Sequence, residues 1–296
     1  MSQFQVNTIT DKSGTSGPVI AGVSTNNSTG CMIIPAGPTE HRGGRGRGVV
    51  AGGRDASNPH VDTMDLIEIA TAGNATDFGN LTIAGRDYTS ACGTPTRGIV
   101  FAGSEPGFRN VIDYVVMSSS GGANDFGDML IAPLTNFALS NATRGITAGG
   151  LTAPTPSYTT NDSIEFITMA STGNSSSFGS LSEVNSYAAT CASSTRGIFN
   201  QGSTPTYKKT IEYITIATGG NATRFGDTSF IGYAKSGVSS PTRGVFLNGS
   251  TPVSPNLSNV IEYNELATEG DAVDFGDTGR ASAWNHCTSN GHGGLG

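Results

Sequence analysis

Short apolar runs alternate with clusters of Gly, Asn, Asp and Ser along the chain, and this pattern predicts many short β-strands joined by tight turns. Residues 210–216, for example, are β-branched and aromatic throughout, residues 219–221 turn the chain, and residues 223–227 follow as a further strand. Apolar side chains of the first of these strands lie in both phases, as expected for a sheet covered on both faces. No useful length of chain has the i, i+3, i+4, i+7 pattern of an amphipathic helix. The sequence therefore predicts an all-β protein.

Three short phrases recur five times in the same order and divide the chain into repeats. Each repeat begins with Arg-Gly, continues with Ile, an acidic residue and an apolar residue, and ends with Phe-Gly. Successive arginines lie 50, 47, 52 and 47 residues apart, a period typical of propellers and other repeat arrays. The repeat positions are Arg47, Arg97, Arg144, Arg196 and Arg243, then Glu68, Asp113, Glu165, Glu212 and Glu262, then Phe78, Phe126, Phe178, Phe225 and Phe275. Four short antiparallel strands per repeat match a propeller blade.

The repeated side chains have structural and functional interpretations. We predict that each phenylalanine fills the space between two blades, and that the glycine beside it permits a tight turn. The five arginines are expected either to surround a central channel and bind an anion, or to pair with the acid of the middle strand. We favour the pairing, because every repeat contains both residue types and a planar guanidinium suits a fixed contact with a carboxylate.

The two ends of the chain predict how the propeller closes. The first repeat lacks its leading strand, and residues 281–287 have the strand character that is missing there. We therefore predict five blades over residues 41–296, closed by a C-terminal strand that completes the first blade. Six blades, with one built from residues 1–40 and the C-terminus, are the alternative. Residues 1–40 are too short to bury a core of their own, and strand-like stretches at residues 6–10 and 18–23 favour an extended docking arm.

Composition and charge exclude several classes of protein. Charged residues make up 13% of the chain and the net charge is -7, which is unlike a coiled coil or a disordered polyampholyte and disfavours nucleic-acid binding. Neither a secretory signal nor an apolar run of about 18 residues, long enough to span a membrane, is present. We expect a soluble protein made in a cytoplasm.

The sequence has no strong motif of catalysis or metal binding, so we expect that the protein is not an enzyme and has no cofactor. The histidines have no spacing typical of a metal site: His41, His60, His286 and His292. Aspartates that suggest calcium follow Phe-Gly in three repeats only, and a role in turns is favoured for them: Asp128, Asp227 and Asp277. No Gly-x-Ser-x-Gly elbow or phosphate-binding loop occurs. Cysteines at one repeat position are predicted to be small buried fillers: Cys92, Cys191 and Cys287.

The repeats resemble kelch-type blades, although most lack the double glycine and the tryptophan of the last kelch strand. Three phrases are similar to those of virion structural proteins of tailed bacteriophages, particularly marine cyanophages: Ile-Glu-Tyr-Ile-Thr-Ile-Ala-Thr at residue 211, Gly-Asn-Ala-Thr-Asp-Phe-Gly at residue 73 and Pro-Thr-Arg-Gly at residue 95. Residues 7–14 and 37–40 resemble N-terminal segments of such proteins. The resemblance implies a component of the virion.

We expect a non-enzymatic structural component, associated with the tail or its appendages. Residues 1–40 would bind other virion proteins or sister copies and leave the propeller exposed, with no nucleic-acid partner and no insertion into a membrane. Capsid, neck and fibre stay open as locations. The alternative is a lectin-like protein that binds host surface glycans through the propeller loops. Equivalent aromatic platforms in every blade would favour the lectin, whereas the loops differ in length and composition.

Overall fold

The computed structural model describes residues 24–26, 31–33, 46–54, 60–69, 71–104, 107–152, 158–200, 202–203, 207–252, 254, 256–285 and 287. The chain divides into two compact units, Met1–Thr39 and Glu40–Gly296. In the first unit, β1 (Ser24–Asn26) and β2 (Cys31–Ile33) form an antiparallel pair. The strand-like stretches predicted at residues 6–10 and 18–23 lie outside the described residues.

Five antiparallel sheets, one for each repeat, form the second unit. Sheet 1 contains β3 (Arg47–Gly53), β4 (Val61–Glu68) and β5 (Thr76–Asn80), and sheet 2 contains β6 (Ser90–Gly93), β7 (Arg97–Phe101), β8 (Val111–Val116) and β9 (Asn124–Asp128). After β10 (Pro133–Leu134), sheet 3 contains β11 (Phe137–Ser140), β12 (Arg144–Ala148), β15 (Ser163–Thr168) and β16 (Ser176–Ser180). Within that repeat, β13 (Leu151–Thr152) and β14 (Thr159–Thr160) pair with β10 in a small separate sheet. Sheet 4 contains β17 (Ala189–Ala192), β18 (Arg196–Asn200), β19 (Thr210–Thr215) and β20 (Thr223–Asp227), and sheet 5 contains β21 (Ser236–Ser239), β22 (Arg243–Leu247), β23 (Ser258–Glu265) and β24 (Val273–Ser282).

The prediction of an all-β fold with four short antiparallel strands per repeat is confirmed for sheets 2 to 5. The strands follow one order in each of these sheets: a leading strand, the Arg-Gly strand, the middle strand and the Phe-Gly strand. The strand that follows the Phe-Gly strand of one repeat leads the sheet of the next repeat, as β21 does by pairing with β22. Across the described part of the chain every regular element is a strand, and no helix there has the length and apolar character to cross a membrane.

Leading strands of consecutive sheets lie side by side, so they form the inner part of the array. β6 contacts β11, β11 contacts β17, and β17 contacts β21. Small side chains make this approach possible. Ser140 donates its hydroxyl to the carbonyl of Gly93 at 2.7 Å, and Ser239 donates to the carbonyl of Ala192 at 3.1 Å.

The hydrophobic core consists of apolar layers between consecutive sheets, each built from strands of two neighbours. Between sheets 2 and 3, for instance, Ile112 and Phe126 pack with Ile167 and Met169. The outer face of sheet 5 differs from these layers. Phe275 is 54% exposed, whereas the phenylalanines at the same repeat position in sheets 1 to 4 are nearly fully buried. Among the described residues, no further sheet therefore covers sheet 5.

The predicted pairing of residues 281–287 with the first sheet is wrong for residues 281–285. Ala281 and Ser282 belong to β24, where Ser282 pairs with Ser258 of β23. Trp284 donates its backbone N–H to the carbonyl of Ala234 at 3.1 Å, close to the leading strand of sheet 5. Residues 281–285 therefore form their backbone hydrogen bonds with sheet 5 and do not pair with β3. Residues 288–296 lie outside the described residues.

Candidate functional site

The Phe-Gly phrase forms a β-bulge in the outer strand of every sheet. In sheet 2, Ile112 pairs with Gly127 and Asp113 pairs with Asp125, so Phe126 has no partner of its own in the middle strand. The other four sheets show the same shift of register. A bulge re-aims the extra side chain, and here the Phe126 ring is buried at 5.9 Å from the ring of Tyr114. The prediction that the phenylalanines fill the space between sheets is confirmed for sheets 1 to 4.

The glycine of this phrase lies inside the strand, not in a tight turn as predicted. A Cβ atom on Gly226 would lie 2.1 Å from the carbonyl oxygen of Gly270, which belongs to the turn of the next sheet. The same turn donates the Gly270 N–H to the carbonyl of Phe225 at 2.9 Å and the Ala272 N–H to the carbonyl of Asp227 at 2.8 Å. Glycines at this position in sheets 1 to 3 meet the next turn equally closely: Gly79, Gly127 and Gly179. Glycine is therefore required by the close approach of two backbones.

We expect Gly226→Ala to lower the free energy of unfolding by about 1–3 kcal/mol, because the new methyl group forces two backbones apart. Urea denaturation measures the change. Gly270→Ala is the matched control, since nothing lies within 4 Å of a Cβ at that position. An equal loss in both variants would show that the close approach does not decide the effect.

The arginines of sheets 1 to 4 each bind the next sheet. Arg97 donates its Nη1 to the carbonyl of Met169 in the next sheet at 2.8 Å, while its guanidinium lies 5.0 Å from the centre of the Tyr114 ring. The equivalent bonds run from Arg47 to the carbonyl of Met117, from Arg144 to that of Ile216 and from Arg196 to that of Leu266. Because these guanidinium groups already have partners, the geometry does not favour an anion-binding channel.

The predicted arginine–acid pair occurs in the first repeat only. Arg47 and Glu68 lie 2.8 Å apart, with the carboxylate 43% exposed. Arg243 also binds an acid, but it is Glu265 rather than Glu262. The prediction is therefore wrong for the other four repeats, where the carbonyl of the next sheet or a different acid is the partner.

The acids of the middle strands bind the preceding sheet. Glu262 accepts the backbone N–H of Ser229 at 2.8 Å, just beyond the outer strand of sheet 4. The equivalent bonds run from the N–H of Thr82 to Asp113, of Leu130 to Glu165 and of Ser182 to Glu212. A carboxylate that accepts a buried N–H satisfies a donor that would otherwise lose its hydrogen bond to water. The acid and the arginine thus connect each of sheets 2, 3 and 4 to both of its neighbours.

In sheet 1 the residue at the acid position is Asp65, not Glu68 as predicted. Asp65 pairs with Val50, as Asp113 pairs with Val100 in sheet 2. The sequence contains a signal for this assignment. In every other repeat the acid lies 13 residues before the phenylalanine, and Asp65 has that distance from Phe78. Met64 stands before Asp65 where the other repeats have isoleucine, so the Ile-acid phrase does not occur at this position.

Two ion pairs are completely buried between sheets. Lys235 Nζ lies 2.7 Å from Glu262 Oε1, and Arg86 Nη2 lies 3.2 Å from Asp113 Oδ2. Burial lowers the pKa of Lys235, and the charge of Glu262 opposes that change. Burial also raises the pKa of Glu262, but the charge and hydrogen bond of Lys235 and the bonds from Ser229 outweigh it, so that the pKa is below its usual value. Lys235 also donates to Asn200, and Glu262 accepts from Ser229, so this pair connects sheets 4 and 5. The guanidinium nitrogens of Arg86, in contrast, make no hydrogen bond to any described residue.

Two of the repeat cysteines are packing residues, as predicted. Cys191 is buried, and a Cβ on Gly244 of the next sheet would lie 2.2 Å from its sulfur. Burial raises the pKa of Cys92 to about 12, with a hydrogen bond from Ser140 opposing the shift. A thiol with such a pKa is unreactive at neutral pH. Cys287 is exposed, so the prediction is wrong for that residue.

Metal-binding groups do not converge in the described part of the chain. It contains no group of three or more His, Cys, Asp or Glu side chains placed to hold a metal ion. His60 lies 3.5 Å from Asp87, and the other three histidines lie outside the described residues. A cavity of about 290 Å³ is lined by Thr94, Arg97 and Met169, where Arg97 already donates to the carbonyl of Met169.

Four aromatic residues form a partly exposed cluster, named here the aromatic cluster: Tyr187, Tyr207, Tyr233 and Trp284. The rings of Tyr207 and Tyr233 are stacked at 5.3 Å, and Trp284 meets Tyr187 edge-on at 5.0 Å and Tyr233 at 5.8 Å. Trp284 is 54% exposed and Tyr207 is 40% exposed. These residues come from distant parts of the sequence, and none of them belongs to a repeat phrase.

Comparison with known proteins shows the fold alone. No known protein family and no curated protein matches the chain. A solved structure described as "Structure of YjhT", a β-propeller-like protein, superposes with a TM-score of 0.61 over 76% of this chain and 80% of that chain, at 10% sequence identity. Together with the five antiparallel sheets, this likeness shows a β-propeller-like fold.

Proposed function

We propose that this protein is a non-enzymatic structural component of a tailed-phage virion, in which the five sheets serve as propeller blades. The use of the repeated side chains supports a structural role. At successive junctions an arginine, an acid and a Phe-Gly bulge connect one sheet to the next. The similarity of the repeat phrases to virion proteins of tailed bacteriophages supports the location. Tail and appendages are favoured over capsid and neck on that similarity.

In this function, residues 1–40 anchor the protein to other virion proteins or to sister copies, and the propeller-like unit is exposed. The division of the chain into a short unit, Met1–Thr39, and a large one, Glu40–Gly296, supports separate roles. Ordering an extended arm costs about 1–2 kcal/mol of backbone entropy per residue, which contacts with a partner would offset. The unpaired backbone groups of an edge strand readily form hydrogen bonds when the strand adds to a partner's sheet.

We expect deletion of residues 1–40 to leave a folded protein that no longer joins particles. Mass spectrometry and cryo-microscopy of purified particles measure incorporation, and thermal unfolding of the purified variant checks its fold. Leu130→Ala in the full-length chain is the control, because this side chain is 60% exposed and its loss should change neither property. Normal incorporation of the truncated protein would place the anchor on the large unit instead.

Host attachment through the loops is the second candidate function. The aromatic cluster favours it, since exposed aromatic rings beside one another are typical of binding surfaces. A virion protein whose large unit is exposed would leave this cluster accessible to a host surface.

A further inference from the structure

The position nine residues before the repeat arginine has left-handed backbone geometry wherever the structure describes it. Tyr88, Thr135, Tyr187 and Ala234 occupy it, with φ angles of 54°, 56°, 57° and 52°. Trp284 continues the series, with a φ angle of 62°. Their backbones are linked in order: the N–H of each residue donates to the carbonyl of the one before it, at 3.1–3.3 Å. This arc of hydrogen bonds brings one residue of each successive repeat to the same end of the inner strands.

Large aromatic residues occupy three of the five positions, although the backbone there favours glycine. A left-handed conformation costs a non-glycine residue of order 1–3 kcal/mol. The chain contains 42 glycines, and glycine would avoid that cost. Burial does not explain the choice, because Tyr88 is 45% exposed and Trp284 is 54% exposed. Since the strained left-handed backbone is kept although the rings are exposed, we infer that the rings take part in binding.

The surroundings of the aromatic cluster define the chemistry of what it would bind. The ring of Tyr187 lies 6.4 Å from that of Tyr233. Burial raises the pKa of Tyr187, the electrostatic influence of Tyr88, Tyr233 and Tyr158 adds to that rise, and a hydrogen bond with Thr135 opposes it. The lysines next to the cluster in sequence have partners, and Lys209 donates its Nζ to the carbonyl of Ser229 at 3.3 Å. Lys208 binds Glu183, and Lys235 binds Glu262. In the part of the chain that the structure describes, the cluster therefore offers mainly ring faces and neutral hydroxyl groups, and the exposed Lys209 follows Tyr207 closely in sequence.

We propose that the aromatic cluster is a binding site for a neutral saccharide. A pyranose ring presents C–H bonds on one face, which pack on an aromatic ring, and hydroxyl groups at its edge, which exchange hydrogen bonds with tyrosine hydroxyls. Trp284 and Tyr207 provide the exposed rings. An apolar protein partner is less suited, because Tyr and Trp have a polar group as well as an apolar body. The inference rests on the host-attachment function proposed above and names its ligand class.

A fluorescence titration tests the site directly, because Trp284 is the only tryptophan of the chain. Full-length protein is titrated with maltose, cellobiose, lactose and chitobiose, and an array of neutral glycans extends the search. We expect at least one of these saccharides to shift or quench the tryptophan emission in a saturable way. Tyr207→Ala should then weaken the affinity at least tenfold, whereas Tyr207→Phe, which retains the ring, should weaken it less than threefold.

Leu130→Ala is the control for general effects on the surface and should leave the affinity unchanged. Calorimetry of Trp284→Ala, which removes the reporter, should show binding lost while the thermal unfolding temperature stays near that of the parent. The proposal is overturned if no neutral saccharide changes the emission up to about 10 mM. It is also overturned if binding survives both alanine substitutions, or if only an apolar dye or a peptide binds.

The two proposals can fail separately. Saccharide binding by a protein that is absent from particles would support the site and contradict the virion role. Presence in particles without saccharide binding would contradict the site and leave the structural role intact.

Discussion

We expect Glu262→Ala to lower the free energy of unfolding by about 3–5 kcal/mol, since removal of one partner from a buried ion pair leaves the other charge uncompensated. Lys235, whose side chain is fully buried, would lose its 2.7 Å contact with Glu262 Oε1. Ser229 would lose the acceptor of both its N–H and its hydroxyl. Urea denaturation at neutral pH measures the loss.

Glu68→Ala is the matched control. Glu68 follows an isoleucine, as Glu262 does, but its carboxylate is partly exposed, whereas that of Glu262 is buried. The Glu68 carboxylate is 43% exposed in its pair with Arg47. An exposed pair contributes about 0–1 kcal/mol. Similar losses for the two variants would contradict the different positions that the structure gives to the two acids.

The pH dependence of stability provides a second measurement of the same group. The pKa of Glu262 is below its usual value in the folded protein, because Lys235 and Ser229 outweigh the opposite effect of burial. Its contribution is therefore complete above the pKa of an unfolded glutamic acid and is lost as the pH falls through the folded value. We expect Glu262→Gln to lose less stability on acidification than the parent protein does.

Period and local pattern were sufficient to predict the sheets. The repeat distance and the alternation of apolar runs with turn residues gave the strands of sheet 4 nearly as they occur, including Thr223–Asp227. These strands depend on local sequence. Contacts between sheets depend on register instead. The bulge at Phe225 and the close approach of Gly226 to Gly270 arise from the way two sheets meet, which the phrase itself does not show.

The candidate binding site was harder to predict, because its residues share no phrase. Tyr187 and Trp284 are related by their left-handed backbone angles and by the backbone hydrogen bonds that link both residues to Ala234, and the sequence phrases show neither relation. Tyr207 lies in the loop before a middle strand and joins the cluster by stacking on Tyr233. The closing strand was predicted from the strand character of residues 281–287 and from the missing leading strand of the first repeat, and neither observation selects between two available edges.

Whether the array of sheets closes depends on what covers the outer face of sheet 5. Two phenylalanines at the same repeat position, Phe225 and Phe275, test this. We expect Phe225→Ala to lower the free energy of unfolding by about 3–5 kcal/mol, as truncation of a buried phenylalanine does. The ring of Phe225 is 3% exposed and lies between sheets 4 and 5. Phe275→Ala should cost about 1 kcal/mol or less, because that ring is 54% exposed.

Both rings make the same contact within their own sheet, so the difference isolates what covers them. Phe225 meets Tyr213 edge-on at 5.8 Å, and Phe275 meets Tyr263 at 6.0 Å. Urea denaturation of the two variants at one protein concentration measures the difference. If Phe275→Ala instead costs as much as Phe225→Ala, sheet 5 is covered in solution. Dependence of that cost on protein concentration would then identify the cover as a second molecule, and its absence would identify a segment of the same chain.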